Sequence, residues 1–575
     1  MADIPLLKSP PEFPRTFVDA DADLGTWEII EPYYQKLLQR ELPDLAAFET
    51  WLRDGSELEA AIDEKGTRHY VANACDTENE DLERQYLDFV ENVVPKCKPY
   101  DFKLQQKFVD SPLRAKLPQP RYEIIERNIR TDVWLFRQEN IPLETDDTKL
   151  AQQYGKICGA MTVEFDGREQ TLQQMARYLE ETDRDQRQTA WTLVANRRLE
   201  DRDKFDDIFD QLVKLRHRIA RNAGFDNYRD YVFPRKHRFD YTHADCRTFH
   251  ETVARTFVPA ARDLAQRRAA RLGVDPLRPW DLAVDPQGRP PLRPFETVDQ
   301  LCDGCAAIFR KIDPQLADQF EKMRAAGVLD LDSRKGKRPG GFQANFEERR
   351  HPFIFLNAVG LQRDVEVLLH EAGHAFHTFA SQNLPLLPDR HPPLEFCEVA
   401  SMAMELLAAD FLDVFYKPHE IARVKRKQLE DTLTMFPWIA VIDAFQHWIY
   451  THPDHTREQR KQYWLDLDAR FGLGASYEGY ENAIASLWHR QIHLFELPFY
   501  YIEYGIAQLG ALQIWHNAKR DLSAAVAAYR RALALGNTCP LPELYAAADI
   551  RFDFSTETIE PLIESVNKEL NALPD

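Results

Sequence analysis

Asp364-Val365-Glu366-Val367-Leu368-Leu369-His370-Glu371-Ala372-Gly373-His374-Ala375-Phe376-His377 is the most informative stretch of this 575-residue chain. Val365, Leu368, Leu369, Ala372 and Phe376 recur at three and four spacings, the signature of a helix with one apolar face, and Asp364 can cap its start. On that helix His370 and His374 stand one turn apart on one face and can present two imidazoles to a single tetrahedral metal ion. Glu371 lies about 100° round from His370, close to the metal but not stacked on it, where a base for a metal-activated water belongs. Gly373 costs about 1 kcal/mol relative to alanine inside a helix, so its presence predicts another backbone or a substrate passing close to this turn. With 17 histidines in the chain, a chance match to the pattern is expected on the order of 0.05 times.

A metal site needs a third ligand. His377 lies on nearly the same face, but a further turn along the axis, so it reads as a satisfied or exposed histidine. Ala380 occupies the position where a metzincin carries its third histidine, which disfavours that class. The acidic helix expected over residues 395–411 offers a carboxylate instead, completing a two-histidine, one-glutamate site with one position open for water. Glu398 and Glu405, seven apart with Ser401 and Met402 between them, share a face. One can ligate while the other fixes a ligand histidine through its free ring nitrogen.

Outward from this segment, helical periodicity dominates, as over 172–193 and 205–223, so the chain reads as mainly α. Strand candidates are few: 160–165, ended by the turn Asp166-Gly167, and 342–346 with 353–356, a small hairpin or sheet edge. The stretch 273–294, with prolines at 276, 279, 286, 290, 291 and 294, cannot be one helix and is expected to cross the surface. A boundary near residue 200 is expected to separate an N-terminal helical region, 1–200, from a catalytic region, 201–575.

Apolar residues make up 44% and charged residues 29%, the profile of an ordinary folded protein. A net charge of −20 argues against nucleic acid or anionic membranes as partners, since both need a basic face. Short basic clusters such as Arg423 to Lys427 read as a solvated helix face. The first 27 residues carry Asp19, Asp21 and Asp23 and no apolar leader, and no run is long enough to span a bilayer, so the cytoplasm is the expected location. The eight cysteines have no disulfide-framework spacing and are expected to be reduced; Cys302 and Cys305, a lone pair, read as two helix residues.

The segment from His370 to His377, followed by Cys397-Glu398-Val399-Ala400-Ser401-Met402-Ala403-Met404-Glu405, resembles the thimet oligopeptidase and oligoendopeptidase F family. The likeness runs from about residue 150 to about 565; the first hundred or so residues are not matched. It implies one Zn2+ ion held by His370, His374 and Glu398, with Glu405 beside a ligand histidine. It also implies an elongated, mainly α zincin-type fold with a small β-sheet beside a deep substrate cleft. Pro352-Phe353-Ile354-Phe355-Leu356-Asn357 resembles the family's strand along which an extended peptide would pair.

His493-Leu494-Phe495-Glu496-Leu497-Pro498-Phe499-Tyr500-Tyr501-Ile502-Glu503-Tyr504 resembles the family's C-terminal histidine and tyrosine segment. The resemblance implies that His493, Tyr500 and Tyr504 donate to the oxyanion of the transition state. Tyr500 and Tyr504 would share one helix face and Tyr501 would point about 100° away, while Pro498 breaks the spacing expected of the family's first tyrosine. The glycines at 472, 474 and 479 resemble a substrate-covering loop; with no Lys-Ser/Thr after them and no strand before, they do not make a nucleotide site. The implied activity is zinc-dependent hydrolysis of internal bonds in short peptides, with Glu371 as base. A carboxypeptidase or dipeptidyl carboxypeptidase on a similar scaffold, or a silent peptide-binding protein, are the alternatives.

Overall fold

The apolar spacings become helices along most of the chain: the computed structural model is 69% helical, with small sheets. It describes residues 4–574 except Pro10, Pro291, Lys335, Gly336 and Pro339. In chain order, the elements that matter here begin with α1 (Leu45–Cys75), the hairpin β1 (Thr162–Phe165) and β2 (Arg168–Thr171), α2 (Arg202–Asn222), α3 (His243–Arg255) and α4 (Val298–Ile312). There follow β3 (Leu329–Asp332), β4 (Phe342–Phe346), β5 (His351–Ala358), α5 (Gln362–Ser381), α6 (Leu394–Ala408), α7 (Pro418–Thr451), α8 (Tyr501–Ala518) and α9 (Leu522–Leu533). No described helix is long and apolar enough to cross a membrane. None of the eight cysteines is in a disulfide, and Cys302 and Cys305 are both buried on α4.

The chain forms two compact units, each assembled from separated segments. The first comprises Met1–Trp134, Arg293–Ile421 and Ile506–Phe552; the second comprises Leu135–Leu292, Ala422–Gly505 and Asp553–Asp575. Residue 200 falls inside the second unit, where one helix ends at Glu200 and α2 begins at Arg202.

In the first unit, β5 lies between β3, parallel to it, and β4, antiparallel to it. Phe342 pairs with Phe355 and Phe346 with His351 across the β4–β5 ladder, while Leu329 pairs with Ile354 on the other side. The strand expected to offer its edge to a peptide, Pro352 to Asn357, is therefore the central strand, with its backbone already engaged on both sides. β3 and β4 are the edge strands of this sheet. β3 escapes sequence reading because four residues carry too little period to register.

α5 follows β5 and starts at Gln362, three residues earlier than the first apolar position. Asp364 caps it from inside the first turn: its Oδ2 accepts from the backbone N–H of Val359 at 2.8 Å and of Leu361 at 2.9 Å. α5 packs along α6, and a Cβ built on Gly373 would lie 2.6 Å from the Ala400 carbonyl oxygen and 2.6 Å from Ser401 Cα. The close backbone approach expected of that glycine is present, and the approaching backbone is α6. The Tyr529 hydroxyl of α9 donates to the same Ala400 carbonyl at 2.8 Å, holding α6 in place.

In the second unit, Arg216 of α2 is fully buried and donates to Asp147 Oδ1 at 2.8 Å, to the Tyr450 hydroxyl at 2.7 Å and to the Leu494 carbonyl at 3.0 Å. It also donates to the Phe495 carbonyl, so a buried cation anchors the backbone on the C-terminal side of His493. The proline-rich stretch does not simply cross the surface. Trp280 is buried, and Asp281, with no exposed surface, pairs with Arg184 and Arg187. Nor is the basic cluster a solvated face: Arg423 pairs with Asp285 at 2.8 Å and Arg426 donates to the Leu573 carbonyl at 2.9 Å.

Candidate functional site

The geometry of α5 and α6 brings His370, His374 and Glu398 to one point in the first unit. Glu398 Oε2 lies 3.5 Å from His370 Nε2 and 3.8 Å from His374 Nε2, and the three donor atoms form a group able to hold a metal ion. A tetrahedral ion with bonds of about 2.0–2.2 Å would set its donors roughly 3.3–3.6 Å apart, close to the two distances from Glu398 to the histidines. The other nitrogen of each ring is committed elsewhere. His370 Nδ1 lies 2.6 Å from Glu405 Oε1, and the His374 ring donates to the Cys397 carbonyl. Both bonds turn the Nε2 atoms toward the common point, as partners of metal-bound histidines do.

Charge supports the same assignment. Burial works to lower the pKa of His370, but its bond to Glu405 and the charges of Glu398 and Glu371 outweigh it and raise it to about 9. Burial raises Glu371 to about 7, with His370 opposing and Glu398 adding to the shift. His374 is held at about 3 by burial and by the neighbouring His370. Three carboxylates thus crowd one imidazole, and a divalent cation is the charge this donor set suits.

Two residues acquire a part here that their sequence context does not announce. The Ser401 hydroxyl, fully buried, donates to Glu398 Oε2 at 3.0 Å and fixes that carboxylate. The backbone N–H of Gln343, on β4, donates to Glu371. Ser401 lies on α6, and its spacing of three from Glu398 is the signal that could have marked it; Gln343 has none, because a backbone donor leaves no trace in sequence. His377 is neither satisfied nor exposed as expected: it is 4% exposed, burial holds its pKa at about 3, and its Nε2 has no hydrogen-bond partner among the described residues. Its ring instead meets the edge of Phe396.

Replacing Glu405 by glutamine keeps the size of the side chain but removes its charge from His370 Nδ1. Metal affinity is expected to fall about 10–100-fold, measured by competition against a chromophoric chelator. Unchanged affinity would mean that Glu405 does not support His370.

In the second unit, His493 is the centre of an aromatic cluster. Its ring centroid lies 5.4 Å from that of Tyr500, 5.1 Å from Tyr501 and 5.8 Å from Tyr504. Gln491 Nε2 is 2.7 Å from His493 Nδ1. Tyr501, expected to point away, joins the other two because α8 begins only at Tyr501, which leaves Tyr500 outside the helix and out of its angular phase.

Phe499, which precedes them, has φ of +61°, a left-handed conformation that a non-glycine residue holds only when its surroundings impose it. Here its N–H donates to Gln446 Oε1, and its carbonyl accepts from Arg238. The loop with Gly472, Gly474 and Gly479 is tied to the proline-rich stretch: Ser476 N–H donates to the Leu277 carbonyl at 2.8 Å, and Arg278 donates to the Glu478 carbonyl at 2.6 Å.

Comparison with known proteins extends the likeness to the N-terminal part. The family described as Peptidase family M3 matches residues 177–562, and the Peptidase M3 N-terminal domain matches residues 17–136. An oligoendopeptidase F homolog of Borreliella burgdorferi is 25% identical over 248 residues, a match that spans 41% of this chain and 41% of that relative's length. Among solved structures, Pz peptidase A, solved with an inhibitor, is 27% identical, with a TM-score of 0.89 over 97% of this chain and 99% of that one. A protein assigned as oligoendopeptidase F from Bacillus anthracis str. Ames is 25% identical, with a TM-score of 0.85 over the same shares of the two chains.

Proposed function

The chain belongs to peptidase family M3, and we propose that it is a zinc-dependent oligoendopeptidase that hydrolyses internal bonds of short peptides. The observation that carries this reading is the convergence of His370, His374 and Glu398 on one point, with Glu371 on the same turn of α5. These three residues would hold one zinc ion, their second hydrogen bonds keeping each donor turned inward. The ion supplies Lewis-acid stabilisation of the charge developing on the scissile carbonyl oxygen and makes water a better nucleophile.

The Glu371 carboxylate takes a proton from the attacking water as the new carbon–oxygen bond forms. It then delivers that proton to the amide nitrogen as the carbon–nitrogen bond breaks, releasing an amine and a carboxylic acid. Burial and the nearby Glu398 prepare it to hold a proton, while the Gln343 N–H steadies its charged form. An extended peptide would add to the edge of β4, the edge strand whose backbone already reaches Glu371, by main-chain hydrogen bonds. Only a chain without competing structure can lie extended along an edge strand, which makes short, flexible peptides the substrate class. The resemblance also gives His493, Tyr500 and Tyr504 the role of donors to the developing oxyanion, and we keep it for them. Work in the reducing cytoplasm fits eight cysteines with no disulfide among them.

The test is mass spectrometry of products from a mixed library of short peptides blocked at both termini, with and without a chelator. Internal cleavage that stops on chelation and returns with zinc is expected. Cleavage only of peptides with a free C-terminus would replace the endopeptidase with a carboxypeptidase or dipeptidyl carboxypeptidase, and binding without turnover would leave a silent peptide-binding protein.

A further inference from the structure

The second unit contains another cluster of side chains able to hold a metal, remote in sequence from His370 and His374. Cys246 and His250 stand four apart on α3, and Asp443 and His447 stand four apart on α7, so each helix turns one pair of donors toward the other. Cys246, Asp443 and His447 offer donor atoms that all lie within 4.8 Å of one another. His250 Nε2 is 2.8 Å from Asp443 Oδ2 and holds that oxygen. As at the first site, two donors one turn apart on one helix, here Asp443 and His447, meet a donor from a second helix, here the Cys246 thiol.

The cluster is buried and incompletely satisfied. Cys246 and Asp443 have no exposed surface and His250 is 5% exposed. Asp443 Oδ1 has no hydrogen-bond partner among the described residues, and His447 Nε2 approaches Asp443 Oδ2 at 3.3 Å. His243, on the same face of α3, has a buried Nε2 that is likewise unpartnered, and its ring lies 5.9 Å from that of His447. A fully buried carboxylate with one bare oxygen, packed beside an imidazole nitrogen and a thiol, lacks part of the compensation that buried groups normally have. A cation that accepts nitrogen, oxygen and sulfur donors satisfies all three at once.

We infer that Cys246, Asp443 and His447 form a second metal site of zinc type, with His250 orienting the Asp443 carboxylate, and that its role is structural. Binding would release the Cys246 thiol proton to solvent and form the metal–sulfur bond. In the metal-free arrangement burial pushes the thiol well up, while for Asp443 the adjacent His447 and His250 outweigh burial and hold the carboxyl below its usual range. The consequence lies one turn away. Gln446 holds the strained Phe499 N–H, and the His447 ring lies 5.4 Å from that of Phe499, so a cross-link between α3 and α7 would stiffen the turn that presents Tyr500 to Tyr504.

Only this site contains a thiolate, which separates it experimentally from the His370 site. Protein stripped with a chelator, reloaded with cobalt(II) chloride and desalted is expected to hold two equivalents of metal and to show a thiolate-to-cobalt charge-transfer absorption in the near ultraviolet. The Cys246→Ser variant is expected to lose that absorption and one equivalent. The double variant His370→Ala, His374→Ala is expected to keep the absorption and one equivalent, and to melt at a lower temperature once that metal is chelated. A single equivalent without the absorption in the wild-type chain would overturn the proposal and leave a hydrogen-bonded core cluster. Survival of the absorption in Cys246→Ser would overturn it equally. If that variant does not fold, the wild-type and double-variant spectra decide.

Discussion

Glu371→Gln is expected to keep its full metal content while peptide cleavage falls by about 10²–10⁴-fold in kcat. The side chains are of equal size, and Glu371 is 8% exposed in a fixed position on α5, so the amide occupies the same space. Its oxygen can still accept the Gln343 N–H, which preserves the link to β4. What is lost is the capacity to take a proton from water and return it to the leaving nitrogen. Neither His370 nor His374 can replace it, since one ring nitrogen of each is committed to Glu405 or to the Cys397 carbonyl and the other faces the shared point. Metal analysis alongside steady-state kinetics on one blocked peptide separates the terms: kcat should fall and KM should change little, because the residue acts on the transition state. Turnover at the wild-type rate with metal bound would remove Glu371 from the mechanism.

Gly373→Ala is expected to damage both stability and metal binding, although alanine is the better helix former by about 1 kcal/mol. The added Cβ would meet the Ala400 carbonyl oxygen and Ser401 Cα at 2.6 Å, and the Ala400 carbonyl carbon at 3.0 Å. These are backbone atoms, so no side-chain rotation relieves the clash, and Tyr529 holds Ala400 from its other side. α6 must shift away from α5, at a cost of about 1–3 kcal/mol for overpacking. Glu398, the Cys397 carbonyl and Ser401 move with it, so the donor set opens, and affinity for zinc should drop at least as far as on losing a supporting contact, about 10–100-fold. Chemical denaturation of the metal-free variant and chelator competition on the loaded one measure the two effects separately. A variant as stable and as tightly metal-bound as the wild type would show that the helices do not need this approach.

The helix that carries His370 and His374 was legible because its information is local. A 3.6-residue period, two histidines one turn apart and a glycine at an otherwise costly position all fall within one element, so the apolar face, the donor face and the crowded turn could be read from the chain alone. The same holds for the mainly α character and for the β4–β5 hairpin. Where sequence and structure part, the deciding contact came from elsewhere in the chain. His377 looks like a surface or satisfied residue from its position on the helix, but Phe396 of α6 covers it. Tyr501 turns toward His493 because the start of α8 resets the angular phase. The proline-rich stretch is pinned inward because Arg184 and Arg187 claim Asp281.

What the sequence determined by itself is which faces are apolar, which side chains carry chemistry, and which pairs share a turn. Residue spacing left Glu398 and Glu405 interchangeable, and only the packing of α6 on α5 sets one 3.5 Å from His370 Nε2 and the other 2.6 Å from Nδ1. Tertiary structure alone likewise made β5 the central strand and β4 an edge, assembled two units from interleaved segments, and set Cys246 against Asp443 and His447. The reason is physical: periodicity and propensity act within a few turns of one element, whereas strand neighbours and helix crossings are settled by which faces bury each other, a choice made between parts of the chain that no local pattern connects.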